Sequence, residues 1–286
     1  MKDLLKQRIL YSLIPSYISE GIGDEGTPDM KYYSFDWDDN IAYMPTQIIL
    51  VDEDGNEIGM STEDFAEYRT EIGKTPFEYN NNTIVGFADD PFRNFRTAGD
   101  KQFLIDAMKA ETGPAWDDFV EAINSGSVFS IITARGHNPS TLKEAVYNMI
   151  VSNHNGIDMS QLVKNLRKYR EIADMDDMSD DELVKWYLNM CRFYPVTFGS
   201  GSAQNPEEGK IKAMEEFISY VKKTAKRLHK KAFMKNRVSN SFVLPKIGFS
   251  DDDIRNVEKM KAHFEKGDKE SPIQTYLTAG GKKRKF

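Results

Sequence analysis

The chain has 286 residues, 40% hydrophobic and 29% charged, enough to bury the core of one large domain or of one domain with insertions. A formal net charge of -7 argues against a general attraction to nucleic acid, and a single cysteine, Cys191, excludes a disulfide framework and fits a reducing compartment. No stretch approaches the roughly 20 apolar residues of a membrane helix, and the N-terminus lacks a signal-peptide core, so a cytoplasmic protein with no membrane partner is expected.

Residues 4–19 read as a short amphipathic helix, and a Gly- and acid-rich linker follows, so 1–30 stand apart from the main domain. YYSFDW is an aromatic strand candidate running into FDWDDN, where Asp36, Asp38 and Asp39 crowd together. TQIILVDEDGNEIGMS is a hairpin built on Asp54-Gly55, and Ser61 or Thr62 caps the helix STEDFAEYR. Residues 73–100 read as loop. FLIDAMKAE and PAWDDFVEAINSG read as helices, and SVFSIIT as a strand ending in ARGHNP. A helix from Ser140 to about Asn153 follows, then two helical patterns in 158–190 divided by an acidic run, with Cys191 opening the strand RFYPVTFG. From Lys210 a helix presents Ile211, Met214, Phe217, Ile218 and Val221 on one face, and 222–237 are strongly basic. VLPKIGFS is a strand ending in DDD, IRNVEKMKAHFEK a helix, and the region from Gly267 a disordered tail or docking arm.

Strands alternating with helices predict a parallel sheet covered on both faces, with the ligand site at the carboxyl ends of its strands. FDWDD, ITARG and GFSDDD all stand at such ends, so Asp36, Asp38, Asp251 and Asp252 should converge. Two bare carboxylates about 4 Å apart repel by roughly 4 kcal/mol at an effective dielectric near 20. A hard divalent cation relieves this, and an all-oxygen ligand set points to Mg²⁺ beside a phosphate.

SFDWDDN, SIITARG, KIKAMEEFI and KIGFSDDDIRNVEKM resemble, in order, the four motifs of the haloacid-dehalogenase superfamily: Asp-x-Asp after a strand, Thr or Ser ending a strand, a lysine opening a helix, and paired acids ending a strand. The likeness covers most of the chain, residues 33–260. It implies a Rossmann-like three-layer α/β sandwich and Mg²⁺-dependent phosphoryl transfer. Asp36 would then be the nucleophile, and Asp38 the general acid and base, with its backbone carbonyl on the metal. Thr133 and the Ala134 amide would hold phosphate, with Arg135 a further candidate. Lys210, or alternatively Lys212, would neutralise charge, and Asp252 with Asp251 would complete the metal site. A β-hairpin flap and helical insertions would decorate the domain 31–264, at 42–112, 153–190 and 222–241, leaving 265–286 as a C-terminal tail.

Asn40 departs from the motif, where Thr or Val is usual. Trp37 reads as core packing, His137 as a rim residue, and the basic stretch as a solvated helix face. The implied function is hydrolysis of a phosphomonoester, either a phosphorylated small molecule or a nucleic-acid end, through an aspartyl-phosphate. The alternative is a non-catalytic binding or structural protein of this fold in a larger assembly, joined through the C-terminal tail. A fainter resemblance to proteins encoded by tailed phages fits that alternative and a place in the virion.

Overall fold

The computed structural model describes residues 31–170, 178–199, 205–234, 246–265 and 273–286. The helix and linker expected at 1–30, part of the acidic run, and the end of the basic stretch at 235–241 lie outside the described residues.

Strand β1 (Lys31–Phe35) carries the aromatic run, with Tyr32 and Phe35 buried. It pairs in parallel with β8 (Phe129–Thr133) on one side and β10 (Lys246–Asp251) on the other. Outside β8 lies β9 (Arg192–Pro195), and outside β10 lies β11 (Ile273–Leu277), both parallel. A short antiparallel strand, β12 (Arg284–Lys285), closes the edge, giving the order β12-β11-β10-β1-β8-β9. All five residues of β8 are buried, as a strand covered on both faces requires. The chain leaves β1 in one direction for β8 and β9 and later returns on the other side for β10 and β11. This reversal opens a crevice at the carboxyl end of β1.

Helices flank the sheet in a three-layer α/β sandwich. Sequence signals explain their limits. Helix α3 (Trp116–Ser125) buries Trp116, Phe119, Ala122 and Ile123 on one face and stops at Gly126, whose φ of 73° suits a residue without Cβ. Helix α4 (Pro139–Val151) starts with proline at its first turn and is capped by Asn138, whose side chain accepts from the Ser140 amide. Helix α6 (Asp180–Met190) has a full capping box between Ser179 and Glu182. With α2 (Asp100–Ala107) and α5 (Met159–Arg170) these helices pack on one another, while α7 (Pro206–Met234) packs on α8 (Ile254–Phe264). Cys191 is a buried free thiol at the end of α6, and burial pushes its pKa up to about 12, so it is a small hydrophobe in practice. No described helix is long and apolar enough to cross a membrane.

Between β1 and β8 the chain builds a second, antiparallel sheet. Strands β3 (Ile48–Asp52) and β4 (Glu57–Met60) form the expected hairpin, with Asp52 accepting from the Asp54 and Asn56 amides across the turn. Helix α1 (Thr62–Tyr68) is capped by Ser61, which accepts from the Asp64 amide at 3.0 Å. The reading of 73–100 as loop is corrected. Strands β5 (Phe77–Tyr79) and β6 (Asn82–Phe87) complete the order β4-β3-β6-β5. Asn80 and Asn81 both take positive φ, so an asparagine pair taken for loop is a two-residue hairpin turn. This sheet has its own small core of Ile48, Leu50, Met60, Ile72, Ile84 and Phe95. The two-residue strands β2 (Ala42–Tyr43) and β7 (Glu111–Thr112) pair at the points where the insertion leaves and rejoins the main domain.

Two further expectations change. Helix α7 begins at Pro206, four residues before Lys210, and runs without a break through the first part of the basic stretch. The described part of the presumed tail belongs to the sheet: Ile273, Thr275 and Leu277 are buried in β11, an alternating strand obscured by its Gly- and Lys-rich surroundings. Leu277→Ala should therefore cost about 2–4 kcal/mol, read as a lower urea midpoint, whereas a free docking arm would show no change.

Candidate active site at the carboxyl edge of the sheet

Asp36 follows β1, Asp251 ends β10, and Asp252 follows it. Their carboxylates form a group in which one oxygen from each lies within 4.8 Å of the others. Lys210, only 2% exposed, reaches them from α7, with its Nζ 2.9 Å from Asp36 Oδ2 and 2.7 Å from Asp251 Oδ2. Lys212 lies on the exposed face of the helix, so Lys210 is the lysine of the site. The helical pattern explains the choice, because Lys210 shares the face of Met214 and Phe217, four and seven residues on.

Asp251 is already well supplied with donors, since the Asp253 amide and Asn256 Nδ2 donate to Oδ1 and Lys210 to Oδ2. Asp36 Oδ1 is buried with no hydrogen-bond partner. Burial, the Asp251 charge and the Asp38 charge outweigh the attraction of Lys210 and push the Asp36 carboxyl up to about 7. Burial, then Asp251 and Asp36, raise Asp252 well above the carboxylate range. Burial alone would lower Lys210, but its two carboxylate partners win and raise it. An orphaned buried oxygen beside two carboxyls that resist ionisation is the chemistry of a cation site. The three aspartates can hold a divalent cation, with the open capacity on Asp36 Oδ1 and Asp252.

Asp38 lies apart from this group. Arg135 grips it with a two-pronged fork, Nε to Oδ2 at 2.8 Å and Nη2 to Oδ1 at 2.6 Å. Arg135 is 1% exposed, also donates to Thr46 Oγ1 at 3.0 Å, and lies over the rings of Phe95 and Phe103. Its Nη1 stands 3.1 Å from His137 Nε2. Because a guanidinium only donates, His137 Nε2 must accept, and its Nδ1–H then donates to Asp100 Oδ1 at 2.8 Å. Burial and the neighbouring Arg135 charge lower the His137 pKa, in keeping with a neutral ring. Thr141 donates to the other Asp100 oxygen. Four of the five Arg135 N–H groups are thus engaged, which leaves little for a phosphate beyond charge.

The reading of His137 as a rim residue is corrected: it is fully buried, its ring tilted by 31° against that of Phe103 at 4.6 Å. Thr133 is buried at the end of β8, where its Oγ1 accepts from the Arg135 amide, and Ala134 is exposed beside it. Trp37 is core, fully buried beside Phe103.

Asn40, the departure from the motif, acts as a tie. Its Nδ2 donates to the Asp36 carbonyl at 3.0 Å and to Ser250 Oγ at 3.1 Å, and its Oδ1 accepts from Thr278 Oγ1 at 2.9 Å. One buried amide so joins the ends of β1, β10 and β11. Thr46, Asp100 and Thr278 carried no sequence signal, because each is an ordinary polar residue whose partners lie far along the chain, and Asn40 stood out only as a departure from the motif.

Asp36, Asp38, Asp252, Lys210, Thr133, Ala134 and Arg135 line a cavity of about 390 Å³. Its floor includes Asp36, Asp252, Lys210 and Thr133, and its opposite wall comes from the insertion. The hairpin tip at Asp54-Gly55 does not line it; α1 and residues 92–96 do. The wall is tethered to the rim: Arg69 pairs with Glu207 at 3.2 Å and Asp253 at 3.6 Å, and Arg255 donates to the Ala66 carbonyl.

Two outcomes follow from the electrostatics. Between the ordinary carboxylate value of 3.8 and about 7, folded Asp36 binds protons that the unfolded chain has released. Stability of the metal-free protein should therefore fall as pH rises through that interval. Mg²⁺ should raise the melting temperature, and more at about pH 8 than at about pH 5, because protons compete for the same oxygens. Thermal melts with and without Mg²⁺ across pH test both signs. Lys210→Met, which leaves two buried carboxylates without their cation, should cost about 3–5 kcal/mol by urea titration at neutral pH, with partial recovery in Mg²⁺.

No family model, curated protein or solved structure matches this chain.

Proposed function

We propose that the protein hydrolyses phosphomonoesters with Mg²⁺ through a covalent intermediate on Asp36. The observation that carries this reading is the buried Asp36 side chain, with one oxygen on Lys210 and the other unpaired, at the floor of a cavity. An aspartate held this way is a nucleophile close to its point of use. Asp36, Asp251 and Asp252 would hold the Mg²⁺, which when bound offsets negative charge on the phosphate.

Asp36 attacks phosphorus as the bond to the leaving oxygen breaks. Lys210 lies against the attacking carboxylate and favours approach of an anion. Paired with the Arg135 fork, Asp38 is a carboxylate; to give a proton to the leaving oxygen, one of its oxygens would first leave the fork and take up a proton as substrate binds. In the second half it takes a proton from water, whose oxygen attacks phosphorus and releases Asp36. Thr133 and the Ala134 amide receive the phosphate oxygens, and Arg135 contributes charge from behind Asp38. The Asp100–His137–Arg135 chain keeps the fork in place.

This reading extends the resemblance of the four motifs, and the sheet order supports it: the strand carrying the first motif lies between those carrying the second and fourth. Asp36→Asn should lower turnover of a generic phosphomonoester by about 10³-fold or more while leaving the circular dichroism spectrum unchanged. Equal rates for the two proteins in Mg²⁺ would remove the enzymatic reading.

A further inference from the structure

The two walls of the cavity are chemically unlike. Opposite the carboxylates and Lys210, the insertion contributes Ile48, Phe65, Ala66, Phe92 and Phe95. Phe65 and Phe92 meet edge to face at 5.6 Å and 78°, and Phe92 meets Phe95 at 6.3 Å and 69°. Phe65 and Phe92 are half-buried, so ring surface remains open toward the cavity. The polar side chains that the insertion brings to the cavity are already paired, mostly with acids at its rim. Arg69 is paired with Glu207 and Asp253, Arg96 with Asp90, and Thr62 with Asp39.

We infer that the substrate carries a flat apolar or heteroaromatic ring, seated against Phe65 and Phe92 while its phosphate lies on the carboxylate floor. This deepens the phosphomonoester reading and rests on it for the position of the phosphate. A ring placed there gains edge-to-face contact with both phenylalanines. A polyhydroxylated group, such as that of a sugar phosphate, would exchange water for hydrocarbon and find its hydrogen bonds unreplaced. The wall is also fixed in advance: the Gly136 amide donates to the Phe95 carbonyl at 2.8 Å, and Arg135 lies against the Phe95 ring. A preformed apolar wall lowers the cost of ordering the ligand.

The test uses two esters with similar alcohol leaving groups, 2-phenylethyl phosphate and glycerol 3-phosphate, on the full chain in Mg²⁺. The phenyl ester should be favoured in kcat/KM by about 10-fold or more. Phe65→Leu and Phe92→Leu, which keep apolar bulk but remove the ring, should each lower that ratio by about 3-fold or more, with melting curves checking the fold. In parallel, calorimetry measures binding of 2-phenylethylphosphonate and 2-hydroxyethylphosphonate, neither of which can turn over. Tighter binding of the phenyl compound, weakened in both variants, supports the inference even if no ester is hydrolysed, and in that case only the catalytic reading falls. Hydrolysis of both esters at equal rates, or a phenyl preference undiminished by both substitutions, overturns the inference and leaves the catalytic reading standing. Failure of the phenylphosphonate to bind in preference to the hydroxyethyl compound also overturns it.

Discussion

The buried Lys210 ammonium, held between Asp36 and Asp251, is the interaction on which the rest of the carboxyl edge depends. Parallel strands bring their ends together, so the acids of β1 and β10 meet by construction. At such separations two carboxylates repel by several kcal/mol at protein-like dielectric. One lysine between them offsets part of that cost; burial first, and then the neighbouring acids, still hold the Asp36 and Asp252 carboxyls above their ordinary values. A divalent cation bound among the three aspartates would offset both.

Around this core two uncharged or charge-balanced networks fix position. Asn40 joins three strand ends through its side-chain amide, so the backbone carrying Asp36 moves with Ser250 and Thr278. The fork from Arg135 does the same for Asp38, and His137 and Asp100 hold Arg135 in turn. Both networks are well satisfied, which is why so much polar chemistry tolerates burial. The sheet also separates the two catalytic candidates by environment. Asp36 is buried beside an ammonium and other acids, whereas Asp38 is gripped by a guanidinium at the cavity wall.

The insertion between β1 and β8 brings a different kind of surface to the same cavity. Its sheet has a separate small core, so its phenylalanine wall can be rigid without drawing on the main core. Salt bridges from Arg69 to Glu207 and Asp253, and a hydrogen bond from Arg255 to the Ala66 carbonyl, connect that wall to the rim. A charged floor and an apolar wall meet in one cavity because two sheets, each with its own hydrophobic reason to exist, are linked by the separate β2–β7 pair at the base of the insertion and by the Gly136–Phe95 hydrogen bond.

Alternating strand and helix patterns, with acids at successive strand ends, made the parallel sheet and the convergence of Asp36, Asp251 and Asp252 readable from the sequence. These are local signals, and the rule that parallel strands share a carboxyl edge turns them into a site. The hairpin, the Ser61 cap and the apolar face that carries Lys210 were legible for the same reason. Strands β5, β6 and β11 were not, because Asn, Gly and Lys neighbours look like loop until a partner strand supplies the hydrogen bonds. Likewise, the motifs beside Asn40 and His137 drew notice to them but did not show what they do. Their roles exist only once residues 238 and 37 positions away, Thr278 and Asp100, are brought within hydrogen-bond distance. The sequence determined which chemical groups stand at the strand ends. Tertiary structure alone decided which of them lie close enough to share a cation, which are pinned by Arg135, and which apolar wall faces them, because those choices depend on distances that no local pattern encodes.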